Sequence, residues 1–172
     1  MEELSGIEIT VRHDLRPGDL GRVTEMHGLV YAREYAFDHT FEAYVAATLG
    51  EFGQQYRPGR DRLWLAEQGD RLLGSIAIVG RSEDTAQLRW FLVHPSCRGH
   101  GLGSRLLALS LSFCHSASYR HVYLWTVHLL EDAARLYRRF GFRLTEELAE
   151  KPLWGHHLRE QRYDLELVDD RP

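Results

Sequence analysis

The chain has 172 residues, of which 44% are hydrophobic and 27% are charged, and these values exclude a disordered chain and a membrane protein. The 21 Lys and Arg against 25 Asp and Glu give a net charge of −4, which argues against a general binder of the nucleic-acid backbone. Two cysteines without a CxxC motif, and an N-terminus unlike a signal peptide, fit a reducing compartment. We therefore expect a cytoplasmic protein with a single domain over residues 1–172.

In the first half of the chain, the hydrophobic pattern predicts a strand, two helices and then three strands. Alternation predicts the first strand at 7–11, and Asp19 is a candidate N-cap for the next element. Apolar residues at helical spacing predict helices over 20–35 and 40–52. The three strands are predicted at 62–67, 72–79 and 85–94.

The second half predicts an alternation of helices and strands. Helices are expected over 101–117 and 131–139, and Gly141 is placed as a helix C′ glycine. The apolar run at 121–127 is typical of a strand buried on both faces. Two closing strands are expected at 142–145 and 163–167. The order predicts an α+β fold with antiparallel strands first and a βαβ-like second half.

The segment richest in chemistry joins the strand at 85–94 to the helix at 101–117. Gly99, Gly101 and Gly103 open that helix, where exposed backbone N–H groups and the helix dipole together favour an anion. The spacing matches neither GxGxxG nor a Walker loop. The glycines alone therefore leave two interpretations open, an anion site and a helix start without a ligand.

Arg98-x-x-Gly101-x-Gly103 resembles the Arg/Gln-x-x-Gly-x-Gly/Ala signature of the GNAT acetyltransferases. The run at 133–142, with Tyr137 before Gly141, resembles the second signature of that family. The resemblance covers residues 7–167, the expected core of the domain. It implies the GNAT fold, a mixed central sheet of about seven strands with helices on both faces. Motifs within 16–45 are most similar to GNAT domains associated with MarR-type regulators.

The resemblance also implies acetyl-CoA as co-substrate. Loop amides would bind its pyrophosphate, and the strand before the loop would pair with its pantetheine arm. The implied cofactor-binding residues are Leu92, Val93, Arg98, Gly99, His100, Gly101, Leu102, Gly103 and Ser104. Many members carry Asn seven residues before the tyrosine, and this chain has Leu130 there, so that contact is not carried over.

By the same resemblance, Tyr137 is the general acid that protonates the departing thiolate, since a phenol with a pKa near 10 keeps its proton at neutral pH. The alternative for Tyr137 is a core aromatic residue. Glu34, His128 and His156 are the candidates for the general base, with Glu34 preferred and His128 second, and a relay through bulk water is the alternative.

Candidate acceptor-binding residues are Tyr31, Tyr35 and Arg89. Arg89 stands in an otherwise apolar strand, where it either binds a substrate carboxylate or ends in solvent. The ten histidines lack metal-ligand spacing, so we expect no metal.

These observations predict an acetyl-CoA-dependent N-acetyltransferase that acts on a primary amine of a small molecule or amino acid derivative. A catalytically weak acyl-CoA-binding sensor is the alternative. The expected partner is a small-molecule or peptide amine acceptor, and neither nucleic acid nor a membrane is expected. A homodimer is left open.

Overall fold

The computed structural model describes residues 8–168. The helices are α1 (Asp19–Tyr35), α2 (His39–Gln54), α3 (Leu102–Ser116) and α4 (Glu131–Arg139). The strands are β1 (Thr10–Arg12), β2 (Arg62–Gln68), β3 (Arg71–Gly80), β4 (Thr85–Val93), β5 (His121–Val127), β6 (Arg143–Glu147), β7 (Lys151–Leu153), β8 (His156–Leu158) and β9 (Glu160–Glu166). A short 3-10 turn at Pro95–Cys97 follows β4.

Within residues 8–168, seven strands form one mixed sheet in the order β1-β2-β3-β4-β5-β9-β6. The strands β1 to β4 are antiparallel, β4 and β5 are parallel, and β9 is antiparallel to both of its neighbours. The α+β class and the mixed seven-stranded sheet predicted from the sequence are confirmed.

The two faces of the sheet carry separate cores because alternate residues of a strand point to opposite faces. Trp64 and Ile76 pack with Leu106 in the core beneath α3 and α4. Leu63 and Leu65 belong to the other core, which α1 and α2 cover. Helices therefore lie on both faces, as the resemblance implied.

The start of α1 differs from the prediction, since Gly18 and not Asp19 is the N-cap. Gly18 takes the left-handed conformation (φ 94°) that a glycine accepts without strain. The side chain of Asp19 is 2% exposed and accepts hydrogen bonds from Arg12 and from the Arg16 backbone. The prediction for Asp19 was therefore wrong, because its carboxylate is used to join β1 to α1.

The burial of β5 also differs from the prediction. Val122 and Leu124 are buried, whereas Trp125 is 36% exposed. One face of β5 packs on the core with α3 and α4, and the other face borders a cavity. The strand is therefore not buried on both faces.

A small hairpin of β7 and β8 was not predicted. Its strands have three residues each, too few for periodicity to be recognised. Trp154 and Gly155 form its turn, both with positive φ (53° and 84°), as a type I′ turn requires. The backbone N–H of Asp38 donates to Trp154 O at 3.1 Å, so the hairpin is joined to the α1–α2 connection.

Within residues 8–168, no helix combines the length and apolarity needed to cross a membrane. Cys97 and Cys114 are buried free thiols. The same part of the chain contains no cluster of three or more His, Cys, Asp or Glu that could hold a metal ion.

Candidate active site

The central feature of the sheet is a gap between its two parallel strands. β4 and β5 are paired at Thr85↔His121, Ala86↔Val122 and Gln87↔Tyr123, and the pairing stops there although both strands continue. The rest of β4, from Leu88 to Val93, therefore has an open edge toward β5. We call this opening the β4–β5 gap.

A bulge in β4 lies beside this gap. The register with β3 shifts between Ser75↔Leu92 and Ala77↔Arg89, which leaves one extra residue in β4. Trp90 lies in the shifted segment with φ 46°, a left-handed conformation that is costly for a bulky residue. The hydroxyl of Ser75 donates to Trp90 O at 2.7 Å and holds the bulge in place.

The backbone direction decides which residues of β4 can bind a ligand in the gap. The N–H of His94 donates to Leu73 O at 2.8 Å, so His94 faces β3. Because polar groups of alternate residues point to opposite edges of a strand, those of Leu92 also face β3, and those of Val93 face the gap. Val93 therefore suits the predicted role. The role of Leu92 in binding the pantetheine arm stays a prediction.

At the end of β4, the start of α3 forms an open cradle of backbone amides. The first i→i−4 bond runs from Arg105 N to Gly101 O at 3.0 Å, so the amides of Leu102, Gly103 and Ser104 precede the helical ladder. Gly101 is the N-cap with φ 81°, and a Cβ added there would meet no atom within 4 Å. The free amides and the open space fit a phosphate group.

Gly103 lies where the start of α3 meets β4 and α4. A Cβ added to it would lie 3.4 Å from a methyl group of Leu136 and 3.6 Å from the side chains of Phe91 and Val93, which is ordinary van der Waals contact. This contact places the cradle next to the β4–β5 gap.

Arg98 lies across the end of β4 with its guanidinium already engaged. Its Nε donates to Val93 O at 3.0 Å and its Nη1 donates to Glu34 Oε2 at 2.6 Å. The arginine thereby links the end of α1 to the end of β4. To contact a bound phosphate, Arg98 would use its remaining N–H groups or break one of these two hydrogen bonds.

On the α1–α2 face, the gap opens into a cavity of about 400 Å³ whose lining includes Tyr31, Tyr44, Arg89, Trp90, Thr126 and Trp154. We call it the aromatic cavity. Its wall is a set of contacting rings, with centroids 4.6 Å apart for Tyr31 and Phe41, and 4.8 Å apart for Phe41 and Trp154. Tyr44 lies 5.5 Å from Trp154. Such a wall is suited to an apolar or aromatic group.

Tyr137 lies on α4 and lines the same cavity. It is 5% exposed, and its ring lies 6.1 Å from Phe91 and 5.9 Å from Tyr163. Burial raises the pKa of the Tyr137 phenol far above its usual value. The phenol therefore keeps its proton at neutral pH, as a general acid must.

The other sequence-derived candidates lie outside the lining of this cavity. Glu34 is paired with Arg98, and Tyr35 packs 5.7 Å from Tyr31. His128 uses Nδ1 to accept a hydrogen bond from the Arg159 backbone N–H at 3.1 Å. The neutral His128 ring then carries its proton on Nε2 and has no free lone pair.

Arg89 lines the cavity and is partly buried, and its two predicted roles, a contact to a substrate carboxylate and a solvent-facing end, both stay predictions. Its Nη2 donates to the Tyr44 hydroxyl at 2.9 Å, and its guanidinium lies 4.5 Å from the Trp90 ring centroid. Desolvation lowers the pKa of Arg89.

The lining residues that were not singled out from the sequence include His27, Trp90, Thr126 and Glu160. His27 lies among apolar residues at helical spacing and is typical of a core position. Trp90 joins the lining from the bulged segment of β4, which the alternation of β4 does not reveal. Thr126 and Glu160 come from neighbouring strands, whose pairing depends on the tertiary fold.

The fold and this site define a class of protein that brings an anionic ligand at a helix start together with a second ligand in an adjoining cavity. The model of the acetyltransferase (GNAT) family matches residues 22–142. The chain therefore belongs to the GNAT acetyltransferase family.

Individual relatives agree with this family. The chain is 29% identical over 106 residues to N-acetyltransferase family 8 member 2 of Rattus norvegicus, covering 59% of this chain and 47% of the rat protein, so it spans about half of that relative. It is 27% identical over 125 residues to an uncharacterized N-acetyltransferase of Schizosaccharomyces pombe, covering 72% and 76% of the two chains. The yncA structure from Salmonella typhimurium, solved with its cofactor acetyl-CoA, has a TM-score of 0.73 and 18% identity, covering 95% of this chain and 96% of its own.

Proposed function

We propose that this chain is an acetyl-CoA-dependent N-acetyltransferase that moves the acetyl group directly to a primary amine of a small molecule or amino acid derivative. The observation that carries the proposal is the β4–β5 gap. It connects the amide cradle at Gly101 to the aromatic cavity and has the protonated Tyr137 beside it. The acetyl-CoA in the Salmonella yncA structure, a fold relative, supports the choice of co-substrate.

In this proposal, the start of α3 binds the pyrophosphate through the amides of residues 99–104, with Arg98 at the edge of the cradle. The pantetheine arm lies along the open edge of β4 and pairs with the backbone of Val93. A backbone N–H on this edge polarises the thioester carbonyl and stabilises the oxyanion that develops on it.

The transfer step forms a C–N bond and breaks a C–S bond. The unprotonated amine attacks the thioester carbonyl, and the thiolate that leaves takes the proton of the Tyr137 hydroxyl. The amine nitrogen loses one proton during the step, and this proton returns the tyrosinate to the phenol through water. No net charge is gained or lost, and the products are an amide and a thiol.

We propose water as the carrier of the amine proton. His128 has its Nδ1 occupied, and Glu34 is held against Arg98 outside the cavity lining. Glu34 then acts as a positioning residue that holds Arg98 at the end of β4. The side-chain bases proposed from the sequence, Glu34 and His128, are tested against this relay below.

We also propose that residues 1–172 form a single domain, that the protein is cytoplasmic and that its partner is a small-molecule or peptide amine. A homodimer is left open. The likeness to domains associated with MarR-type regulators stays a prediction from residues 16–45. The sensor alternative is not favoured, because the matched relatives are named as N-acetyltransferases.

Two measurements test the function. Acetyl-CoA should raise the melting temperature of the purified protein, since a ligand that binds the native state stabilises it. A panel of amines should then release CoA thiol with at least one acceptor, and mass spectrometry should find the acetylated amine. Absence of a melting shift at millimolar acetyl-CoA would refute the cofactor assignment, and a shift without any turnover would favour the sensor.

A further inference from the structure

Arg89 is a cation without an anionic partner inside the aromatic cavity. Among residues 8–168, no carboxylate lies within ion-pair distance of its guanidinium, which donates a hydrogen bond to the neutral hydroxyl of Tyr44. Arg98, on the other side of the gap, is by contrast paired with Glu34. Holding an unneutralised guanidinium in a partly desolvated position costs free energy, and an anionic ligand would recover it.

Two further polar atoms in the lining have no partner. The indole Nε1 of Trp90 and the hydroxyl of Thr126 are buried and make no hydrogen bond with any residue of the described chain. Trp90 is only 8% exposed, and its Nε1–H can act only as a donor. Folded proteins leave few buried polar groups unpaired, and both of these atoms belong to residues that line the cavity.

The three groups have complementary chemistry. A guanidinium, an indole N–H and a hydroxyl can all donate, and a carboxylate is a group that only accepts. Glu160 also lines the cavity, but Lys151 Nζ is paired with it at 2.9 Å, so its charge is balanced. The aromatic cavity thus carries an uncompensated positive charge.

The remaining wall is apolar. The ring centroids of Tyr44 and Trp154 lie 5.5 Å apart, and the Tyr44 hydroxyl accepts a hydrogen bond from Arg89. The cationic group and the aromatic surface are therefore adjacent. A ligand that satisfies both surfaces therefore carries an anionic group next to an apolar one.

We propose that the acetyl acceptor is a small amine that carries a carboxylate, bound by Arg89, and an apolar side chain, packed against Tyr44 and Trp154. A free apolar or aromatic α-amino acid has this chemistry. The proposal rests on the proposed function and names the substrate class of the same site.

The test compares L-phenylalanine and L-leucine with their neutral amides, and kcat/KM is expressed per unprotonated amine because the α-amine of an amide has a lower pKa than that of the free acid. The wild type should show a kcat/KM at least about 30-fold higher for the acids, because removing one partner of a buried charge pair has effects of this size. Arg89→Gln should bring the ratio to within about 3-fold, and Arg89→Lys should keep part of it. Arg143→Gln is the matched control. Arg143 is exposed on β6, at the edge of the sheet, and lies outside the cavity lining, so the ratio should not change.

Binding of the products gives a readout that does not need turnover. In the presence of CoA, N-acetyl-L-phenylalanine should bind more tightly than its amide in calorimetry, and Arg89→Gln should remove the difference while thermal melting shows a folded variant. Equal use of acids and amides by the wild type, or a preference that survives in Arg89→Gln, overturns the proposal. Turnover of peptide N-termini alone also overturns it. Failure of the proposed function is distinct, since it appears as absence of acetyl-CoA binding or of thiol release with every amine.

Discussion

At one end of the β4–β5 gap, the proposed binding groups are backbone amides from a single contiguous stretch, 99–104, around Gly101. At the other end, the aromatic cavity is lined by side chains from α1, α2, β4, β5 and the β7–β8 turn. A local backbone site tolerates many side chains but depends on a few glycines. A site assembled from separate elements depends on the contacts that hold those elements together. Variants at the two ends should therefore fail in different ways.

The largest expected effect lies at the backbone end. Gly101→Glu places a carboxylate in the open space of the cradle, where it repels the pyrophosphate. We expect the affinity for acetyl-CoA to fall by about 100-fold or more, since like charges at close range cost several kcal/mol. Calorimetric titration with acetyl-CoA measures this loss.

Gly18→Glu is the control for backbone strain. Gly18 is also an N-cap glycine with positive φ and no atom within 4 Å of an added Cβ, but it opens α1. Both variants pay a similar backbone cost of about 1–2 kcal/mol. If Gly18→Glu weakened acetyl-CoA binding as much as Gly101→Glu, the cradle assignment would be lost.

The next effect concerns the phenol beside the gap. Tyr137→Phe should lower kcat about 100-fold or more, because it removes the proton donor for the leaving thiolate, and it should leave the affinity for acetyl-CoA unchanged. Steady-state kinetics together with a binding titration separate the two quantities. Tyr163→Phe is the matched control, since this neighbouring buried phenol accepts from Arg138 at 3.1 Å and lies outside the cavity lining. A similar fall of kcat in both variants would point to a structural role for Tyr137.

The pH dependence follows from the same residue. Burial raises the pKa of Tyr137, so the acid form persists as the pH rises. With saturating substrates, kcat should therefore show no alkaline fall below about pH 10, the ordinary pKa of a phenol. A fall near pH 8 that is absent from Tyr137→Phe would contradict the protonated phenol.

A smaller effect is expected at the assembled end. Trp154→Ala removes one ring of the aromatic wall, where Phe41 lies 4.8 Å away. We expect the KM of an apolar acceptor to rise by about 10-fold, because losing an aromatic contact and the apolar area that it buries weakens binding by about that factor. The affinity for acetyl-CoA should be unchanged. Parallel titrations of both substrates provide the measurement. Equal losses for both would show that the two ends are not separable.

The smallest effect should follow Glu34→Gln. The ion pair of Glu34 with Arg98 is partly exposed, at 27% and 40% of the two side chains, and such pairs contribute about 1 kcal/mol or less. We expect kcat to change by less than about 5-fold, with a modest rise in the acetyl-CoA dissociation constant. A 100-fold loss of kcat would instead identify Glu34 as the general base, and the same loss in His128→Ala would identify His128.

Sequence patterns predicted the elements with long, regular periodicity well. The predicted strand 121–127 and helix 131–139 agree with β5 and α4 at both ends. The hairpin of β7 and β8 was missed because three-residue strands carry no measurable period. The N-cap of α1 was misplaced because Asp19 is a favourable cap by type, while tertiary pairing with Arg12 uses its carboxylate elsewhere.

The residues of the site also fall into those that the sequence predicted and those that it missed. The cradle could be predicted because its residues are consecutive, and the local conformation of glycines at a helix start creates the binding groups. That the backbone of Leu92 faces β3 could not be predicted, because the edge that each strand residue presents depends on its pairing with β3. Trp90 and Thr126 were missed because a bulge and a strand neighbour place them in the cavity.

The sequence by itself determined the family, the order of most elements, the glycine-rich helix start and the position of Tyr137. Each of these depends on residues close together along the chain, where periodicity and backbone preference act directly. The tertiary structure alone decided which edge of β4 faces the gap, that Glu34 is held by Arg98, and that Arg89 has no carboxylate partner within residues 8–168. These facts depend on contacts between residues distant in sequence, which no local preference specifies.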